Sequence, residues 1–412
     1  MSSHPAEKGA PFSNSLPGSP VVICVLAANL MLHSMQRFAP VSIFEELRKA
    51  WGSSFTGMGS MFGAYLMAYA ACLVPMGMMA DRVDNKHLMI TGIIVSMAGS
   101  TLFALSPNLN IAILARSVLG VSGSMLYVPT ARYVVATFAK EKRASTMGFV
   151  ELGAGLGSMF AFIILPSATG TLGLTSARLI PVAVAAVLLI GVTLGVKSTR
   201  STSKGSSQGR LIFRSYIFWS FLIFSFLGFY ASYSVSGWLP TFLRRSFESH
   251  ATEAGAIAAL NSTCLMIFSP IAGAISDRIG ARKPVMFAGL ALFITALSTL
   301  ILSHDIRLVM VAASLMGCGG AFTIPIAIMF AGETFADAGI GLAVALTVAT
   351  GQTASSLSGP VSGYTLDLTG SFFSIWLIAL SFSVLRIPLL MSIGERRSER
   401  DRKLQITGSR VK

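Results

Sequence analysis

The sequence predicts an all-α integral membrane protein: twelve transmembrane helices in two pseudo-symmetric six-helix bundles, with both termini cytoplasmic. Three observations predict it. Apolar residues make up 53% of the 412 and charged residues only 12%, against about 25% charged in soluble domains. So little charge cannot cover a water-facing surface. Apolar runs of membrane-crossing length recur twelve times between short polar breaks. The last six runs repeat landmarks of the first six.

In chain order the runs are 21–44, 57–79, 88–106, 110–136, 144–166, 172–196, 213–240, 253–276, 284–302, 307–331, 338–363 and 371–394. A hydrocarbon core of ~30 Å needs ~20 apolar residues in a helix. Backbone groups in lipid must bond within their own helix. The runs are too long and too continuously apolar for barrel strands of ~10 alternating residues. Residues 1–20, polar and rich in Ser and Pro, predict a disordered cytoplasmic tail. The run at 21–44 has no basic flank immediately before it and no small-residue cleavage pattern after it. It is read as a retained helix and not a signal peptide. Residues 197–212, basic and rich in Ser and Gly, predict a flexible cytoplasmic linker. That linker divides an N-terminal bundle at 21–196 from a C-terminal bundle at 213–394, and 395–412 form a basic cytoplasmic tail. Cys24, Cys72, Cys264 and Cys318 all fall in predicted helices without metal-ligand spacing, so reduced, packed thiols are expected.

A net charge of +14 raises the possibility of nucleic acid, but its placement argues against it. With the N-terminus inside, 21 basic residues fall in cytoplasmic segments and six in outer ones. Excess positive charge marks the cytoplasmic side, which sets both termini there. The basic tail either lies against anionic headgroups or is simply solvated. The lipid bilayer is the partner that the composition implies.

The two halves repeat. "GMMADRVDNK" starts at Gly77 and "GAISDRIGARK" at Gly273, 196 residues apart, each between the second and third runs of its half. "ATFAKEKRASTMGF" echoes "ETFADAGIGLAVAL", with Phe138 and Phe335 offset by 197. Two landmarks at nearly one spacing argue for an internal repeat. Here the chain resembles the major facilitator superfamily of transporters over essentially its whole length. The family's loop signature, Gly-x-x-x-Asp-Arg-x-Gly-Arg-Lys, is matched by Gly77, Asp81, Arg82 and Lys86, and better by Gly273, Asp277, Arg278, Gly280, Arg282 and Lys283. Asp84 and Asn85 depart from it in the first copy. The resemblance implies two bundles rocking about a mid-membrane site. It makes Gly77, Asp81, Arg82, Gly273, Asp277, Arg278 and Glu333 gating residues, with Glu333 as partner for Arg278. The alternative is a static surface ion pair worth ~0–1 kcal/mol.

Charges within the runs need a reason. Arg37 precedes Glu45 by eight residues, so at 1.5 Å per residue it lies roughly 12 Å inside the outer end of its helix. Snorkelling that far exceeds the comfortable reach of an Arg side chain, so a wet cavity is expected around it. Asn29, His33 and Arg37 follow each other at steps of four and drift by ~40° per step. They form one slanting polar stripe. Pro40 follows and removes a backbone donor. A guanidinium is a permanent planar donor suited to carboxylate or phosphate. The stretch "RFAPVSI" and the Ser/Gly-rich start of the next helix resemble the organic-anion and organophosphate branches of the superfamily. The phosphate-ester branch uses a second Arg in helix seven, where this chain has Tyr230, Tyr233 and Trp238. A carboxylate is therefore expected over a doubly charged phosphate. The expected substrate contacts are Arg37, His33, Asn29, Tyr127, Tyr230, Tyr233, Asn261 and Gln352. The alternative for Arg37 is a buried ion pair or a carbonyl cap.

Arg116 and Gly120 fit the "R-x-x-x-G" part of a fourth-helix signature that drug/proton antiporters link to proton movement. Leu119 stands where that signature has Gln, and "ELGAGLGSMF" lacks the fifth-helix Gly-Pro. Both absences count against such an antiporter. Arg116 either couples protons or fixes helix four against helix one. Glu151 either carries the coupling proton, since low dielectric raises a carboxyl pKa, or pairs with Arg132 at similar depth. His33 is the other proton candidate. Arg386 is expected to snorkel. Gly153 and Gly157 form a small-xxx-small packing pair.

No nucleophile–base set, metal cluster or phosphate-cradling loop points to an enzyme or a cofactor. The reading is a secondary active transporter, most simply a monomer in a bacterial inner membrane. It moves a small organic mono- or dicarboxylate by proton symport or exchange against a counter-anion. An exporter of amphiphilic compounds is the first alternative. A transporter-like receptor or scaffold that no longer cycles is the second.

Overall fold

The computed structural model describes residues 20–139, 142–199, 213 and 215–394, the side chains of 144 and 336–341 excepted. The expected tails, Pro20 aside, and the linker beyond Thr199 lie outside the described residues. Thirteen α-helices follow in order: α1 Pro20–Ser42, α2 Phe44–Trp51, α3 Phe55–Ala80, α4 Asn85–Ala104, α5 Leu109–Thr137, α6 Arg143–Leu172, α7 Leu174–Gly195, α8 Tyr216–Ser246, α9 Ala251–Ile279, α10 Lys283–Leu302, α11 Ile306–Thr334, α12 Ala336–Thr369 and α13 Phe373–Ser392. The twelve long ones correspond to the twelve apolar runs. Among the described residues eleven are long and apolar enough to cross a membrane. The remaining long helix, α12, carries Gln352, Ser355, Ser356 and Ser358 on buried positions and packs between α3 and α8.

The thirteenth helix, α2, departs from the sequence reading, which ended the first span at Glu45. Its eight residues place Glu45 and Glu46 in the first turn and Arg48 and Lys49 in the last, matching the helix dipole. Gly52 closes it at φ 60°, a left-handed conformation that favours glycine, and donates its N–H to the Arg48 carbonyl. The four cysteines are free, as expected, but Cys24 is exposed on the outside of α1 and not packed.

Two kinds of contact hold the helices at close range. Within the first half, a Cβ at Gly153 or Gly157 would overlap the carbonyls of Ala27 and Met31, so these glycines let α6 press on α1. Between the halves, Gly59 meets Gly359 backbone to backbone, which brings α3 against α12. The seams joining the halves are α3 with α12, α6 with α9, and α1 with α8.

The polar contacts across those seams lie between mid-depth and the α2 end. Glu45 pairs with Arg245 at 2.9 Å and Glu46 with Arg244 at 2.6 Å. The Asp367 carboxylate of α12 accepts from the Phe55 and Thr56 backbone N–H groups at 3.0 and 2.8 Å, capping the start of α3 from the other half. At the opposite end, ion pairs found among the described residues stay within one half. Arg132 on α5 holds Asp81 at 2.6 Å. Arg282 bridges Asp277 at 2.6 Å and Glu333 at 2.7 Å.

These pairs revise two expectations. Glu333 was expected to meet Arg278, but its partner is Arg282, which grips both carboxylate oxygens. Arg278 is exposed on the last turn of α9. The bonds to Glu333, with those to Asp277, push the Arg282 guanidinium pKa above its usual range despite partial burial. Arg132 was expected beside Glu151 and instead takes Asp81. The first loop lacks the arginine that Arg282 supplies in the second, so its aspartate is held by a neighbouring helix.

Candidate functional site

The polar stripe on α1 divides among three neighbours. Asn29 is fully buried and donates to the Leu126 carbonyl at 3.0 Å and to Thr130 Oγ1 at 2.8 Å, both on α5. It fastens α1 to α5 and does not reach the site. Gln36, which the sequence reading passed over, donates to Ser96 and Ser100 on α4. Only His33 and Arg37 turn toward the middle of the molecule.

Arg37 donates from Nη1 to Tyr233 Oη on α8 at 2.6 Å, across the two halves. Its Nη2 lies 2.6 Å from His33 Nε2. A guanidinium only donates, so that ring nitrogen accepts and is unprotonated. The proton of the neutral imidazole then sits on Nδ1, 3.0 Å from Tyr65 Oη, and the tyrosine hydroxyl donates on to the His33 carbonyl at 3.2 Å. Arg37 Nε is buried and has no hydrogen-bond partner. Among the described residues Arg37 makes no ion pair. The cation is therefore met by neutral groups alone, with one donor idle. Such a charge is expensive to bury without an anion.

Rings surround it. The Arg37 guanidinium carbon lies 5.2 Å from the Tyr69 ring centroid and 5.9 Å from that of Tyr233, within cation–π range. The His33 ring packs on Tyr65, Tyr69 and Tyr127 at 6.2, 5.2 and 6.0 Å. Phe38 and Phe62 lie against Tyr233 toward the α2 end. Tyr127 donates to Glu151 Oε1 at 3.2 Å, which ties a carboxylate to the same ring cluster. Glu151 has no basic partner among the described residues.

Arg116 is built differently. Pro40 lacks an N–H, so the carbonyl of Gln36, four residues earlier, loses its helical donor. Arg116 Nη1 supplies that donor at 2.5 Å, and Nη2 bonds the Arg37 carbonyl at 3.0 Å. The Tyr65 ring covers the guanidinium at 4.5 Å. Both ends of Arg116 are fixed on the backbone of α1. Two other expectations move. Tyr230 packs on Phe382 at 4.9 Å, away from Arg37. Arg386 does not snorkel: it is 2% exposed and lies 4.1 Å over the Phe224 ring of α8. Gly228 leaves the room it needs, since a Cβ there would sit 2.6 Å from its guanidinium carbon. Gln352 is buried on α12 with Oε1 unpartnered, and Asn261 is half-buried on α9. No described contact joins either of them to Arg37.

Residues 26–250 and 242–410 match the Major Facilitator Superfamily. A probable sugar efflux transporter of Mannheimia succiniciproducens is 20% identical over 63% of this chain and 64% of its own length. The inner membrane transport protein YajR of Escherichia coli is 30% identical over 37% of this chain and 33% of its own. The chain thus spans under two thirds of each relative. A solved bacterial homolog of the human lysosomal transporter Spinster, inward-facing and unoccupied, superposes with a TM-score of 0.74 at 15% identity, covering 92% of this chain and all of that one. At that identity the likeness shows the fold.

Proposed function

This multi-pass membrane protein is a member of the Major Facilitator Superfamily, and from that premise we propose that it carries a small organic anion by alternating access. The observation that bears the reading is Arg37. It is a half-buried cation without an acidic partner among the described residues, and the groups that satisfy it are rotatable side chains from both halves. A substrate carboxylate entering there replaces Tyr233 and His33 with a bidentate, charge-assisted contact. Because Arg37 and Tyr233 stand on opposite halves, ligand binding and the seam between the halves compete for the same donor. The bundles at 21–196 and 213–394 are the units that rock.

Glu151 is the proton carrier in this reading, and His33 is not. His33 accepts from Arg37 and cannot take a second proton while that bond stands. Glu151 has only the Tyr127 hydroxyl as partner. With Glu151 ionised, the cluster of Arg37 and Glu151 is neutral and repays an anion poorly. Protonation leaves Arg37 uncompensated and favours the anion, which ties one proton to one negative charge. The 21-to-six split of basic residues supports both termini inside the cell and the α2 end outside. The closed α2 end then corresponds to an inward-open state of an inner-membrane monomer.

A second reading has its own support. A carboxylate among aromatic rings suits an amphiphilic cation, and a sugar efflux protein is among the relatives. Arg37 separates the two, because it repels a cation. The test is uptake by proteoliposomes of labelled mono- and dicarboxylates under an imposed pH gradient, with Arg37→Ala alongside. Anion uptake that Arg37→Ala abolishes supports the carrier. Transport of an amphiphilic cation, with no anion moved, supports the exporter.

A further inference from the structure

The chamber says more about its ligand than its charge. We infer that the Arg37 site takes a flat aromatic monocarboxylate, a benzoate-like molecule whose carboxylate displaces the Tyr233 hydroxyl and whose ring lies among Tyr69, Tyr127 and Tyr233. The inference rests on the anion reading above and narrows it.

Charge limits the ligand to one carboxylate. Two other buried arginines of the interior are Arg116 and Arg386. Arg116 is tied to the Gln36 and Arg37 carbonyls, and Arg386 is packed on Phe224 of α8. Arg116 is thus committed to backbone, and no described contact brings Arg386 to Arg37. A dianion would bring an uncompensated charge into a low-dielectric space, which is strongly unfavourable.

Ring chemistry selects the body. Arg37 is flanked by Tyr69 and Tyr233, whose centroids lie 5.2 and 5.9 Å from its guanidinium carbon. Those faces continue into Tyr127, through His33, and into Phe38, Phe62 and Phe229, through Tyr233. Aromatic pairs prefer offset or edge-on contact and gain affinity beyond area burial. A saturated ring of the same size has no such quadrupole and is thicker.

The experiment is competition against radiolabelled benzoate on the purified full-length protein in detergent, using four competitors. These are unlabelled benzoate, cyclohexanecarboxylate, terephthalate and benzamide. Benzoate and cyclohexanecarboxylate share charge and approximate size and differ in aromaticity. Terephthalate adds a charge, and benzamide removes it. The expected order is benzoate first, cyclohexanecarboxylate about tenfold weaker, and terephthalate and benzamide weaker still. Tyr69→Leu is expected to erase the gap between benzoate and cyclohexanecarboxylate. Tyr233→Phe keeps the ring, removes the competing hydroxyl, and is expected to bind benzoate at least as tightly as wild type. A thermal unfolding midpoint on each variant confirms that a lost signal is not lost fold. Equal affinity for the saturated and aromatic acids overturns the aromatic inference while leaving the anion reading intact. Binding of terephthalate as tightly as benzoate overturns the monoanion part. Labelled benzoate that does not bind wild type, while a short aliphatic carboxylate is taken up, overturns the aromatic inference alone. If no carboxylate binds or moves, the anion reading fails with it.

Discussion

Arg37 and Arg116 sit on adjacent helices and both touch the same tyrosine-rich cluster, yet they are satisfied in opposite ways. Arg116 gives its two ends to backbone carbonyls, one of them orphaned by Pro40. Arg37 gives its two ends to a tyrosine hydroxyl and a histidine ring, while Nε is unpartnered in both arginines. Backbone acceptors cannot turn away without unwinding a helix. Side chains turn away by rotation. The difference teaches that burial and charge alone do not separate two arginines; the mobility of their partners does, and on the proposed reading it singles out Arg37. Arg386 lies over the Phe224 side chain with its Nε unpartnered, so it is not fixed on backbone as Arg116 is.

The comparison breaks most visibly at Arg37. Arg37→Ala is expected to reduce anion uptake roughly a hundredfold, the loss of about 3 kcal/mol of charge-assisted bonding. Its unfolding midpoint should stay near that of wild type. Arg37→Lys should recover little, because an ammonium lacks the planar fork. Arg116→Leu should do the reverse. It leaves the Gln36 carbonyl without a donor, at about 1–3 kcal/mol, and lowers the unfolding midpoint. Combining it with Pro40→Ala returns an N–H to the Gln36 carbonyl and should restore part of that loss. A failure of Pro40→Ala to rescue Arg116→Leu would contradict the capping role. Glu151→Gln sharpens the site further: uptake should lose its dependence on the pH gradient while exchange of internal for external substrate continues.

The smallest effects are expected at the two ends of the molecule. At the α2 end the pairs cross between halves, through Glu45, Glu46 and Asp367. At the other end the pairs found among the described residues stay within one half. Exposed pairs are worth ~0–1 kcal/mol each, so Glu46→Gln alone should shift the balance of states only a fewfold. Asp367→Asn should shift it more, since it weakens the cap on α3. Spin-label distances between α2 and the end of α8 would read this as a growing long-distance population. Unchanged distances in both variants would show that the glycine contacts of α3 with α12 hold that end closed by themselves.

The fold was legible because membrane insertion writes itself in length and composition. The twelve long helices and the repeat at Gly77 and Gly273 came from counting. Helix rotation was not legible. A helix apolar on every side gives no phase, so Asn29 could not be told from His33, nor Tyr230 from Tyr233. Partners of the arginines escaped for the same reason. Arg132 finds Asp81 and Arg282 finds Glu333 through tertiary packing that no spacing encodes. The α2 helix was hidden by its position, since its charged residues read as the polar break after a span. The link between Pro40 and Arg116 was within reach: a proline in a span leaves a carbonyl without a donor, and a nearby buried arginine is a ready replacement.

Binding of labelled benzoate to purified wild type, Arg37→Ala and Arg116→Lys, each checked by its unfolding midpoint, tests the central claim most directly. The account predicts that Arg37→Ala folds like wild type and does not bind. It predicts that Arg116→Lys binds but unfolds at lower temperature. An Arg37→Ala protein that binds as tightly as wild type would contradict it.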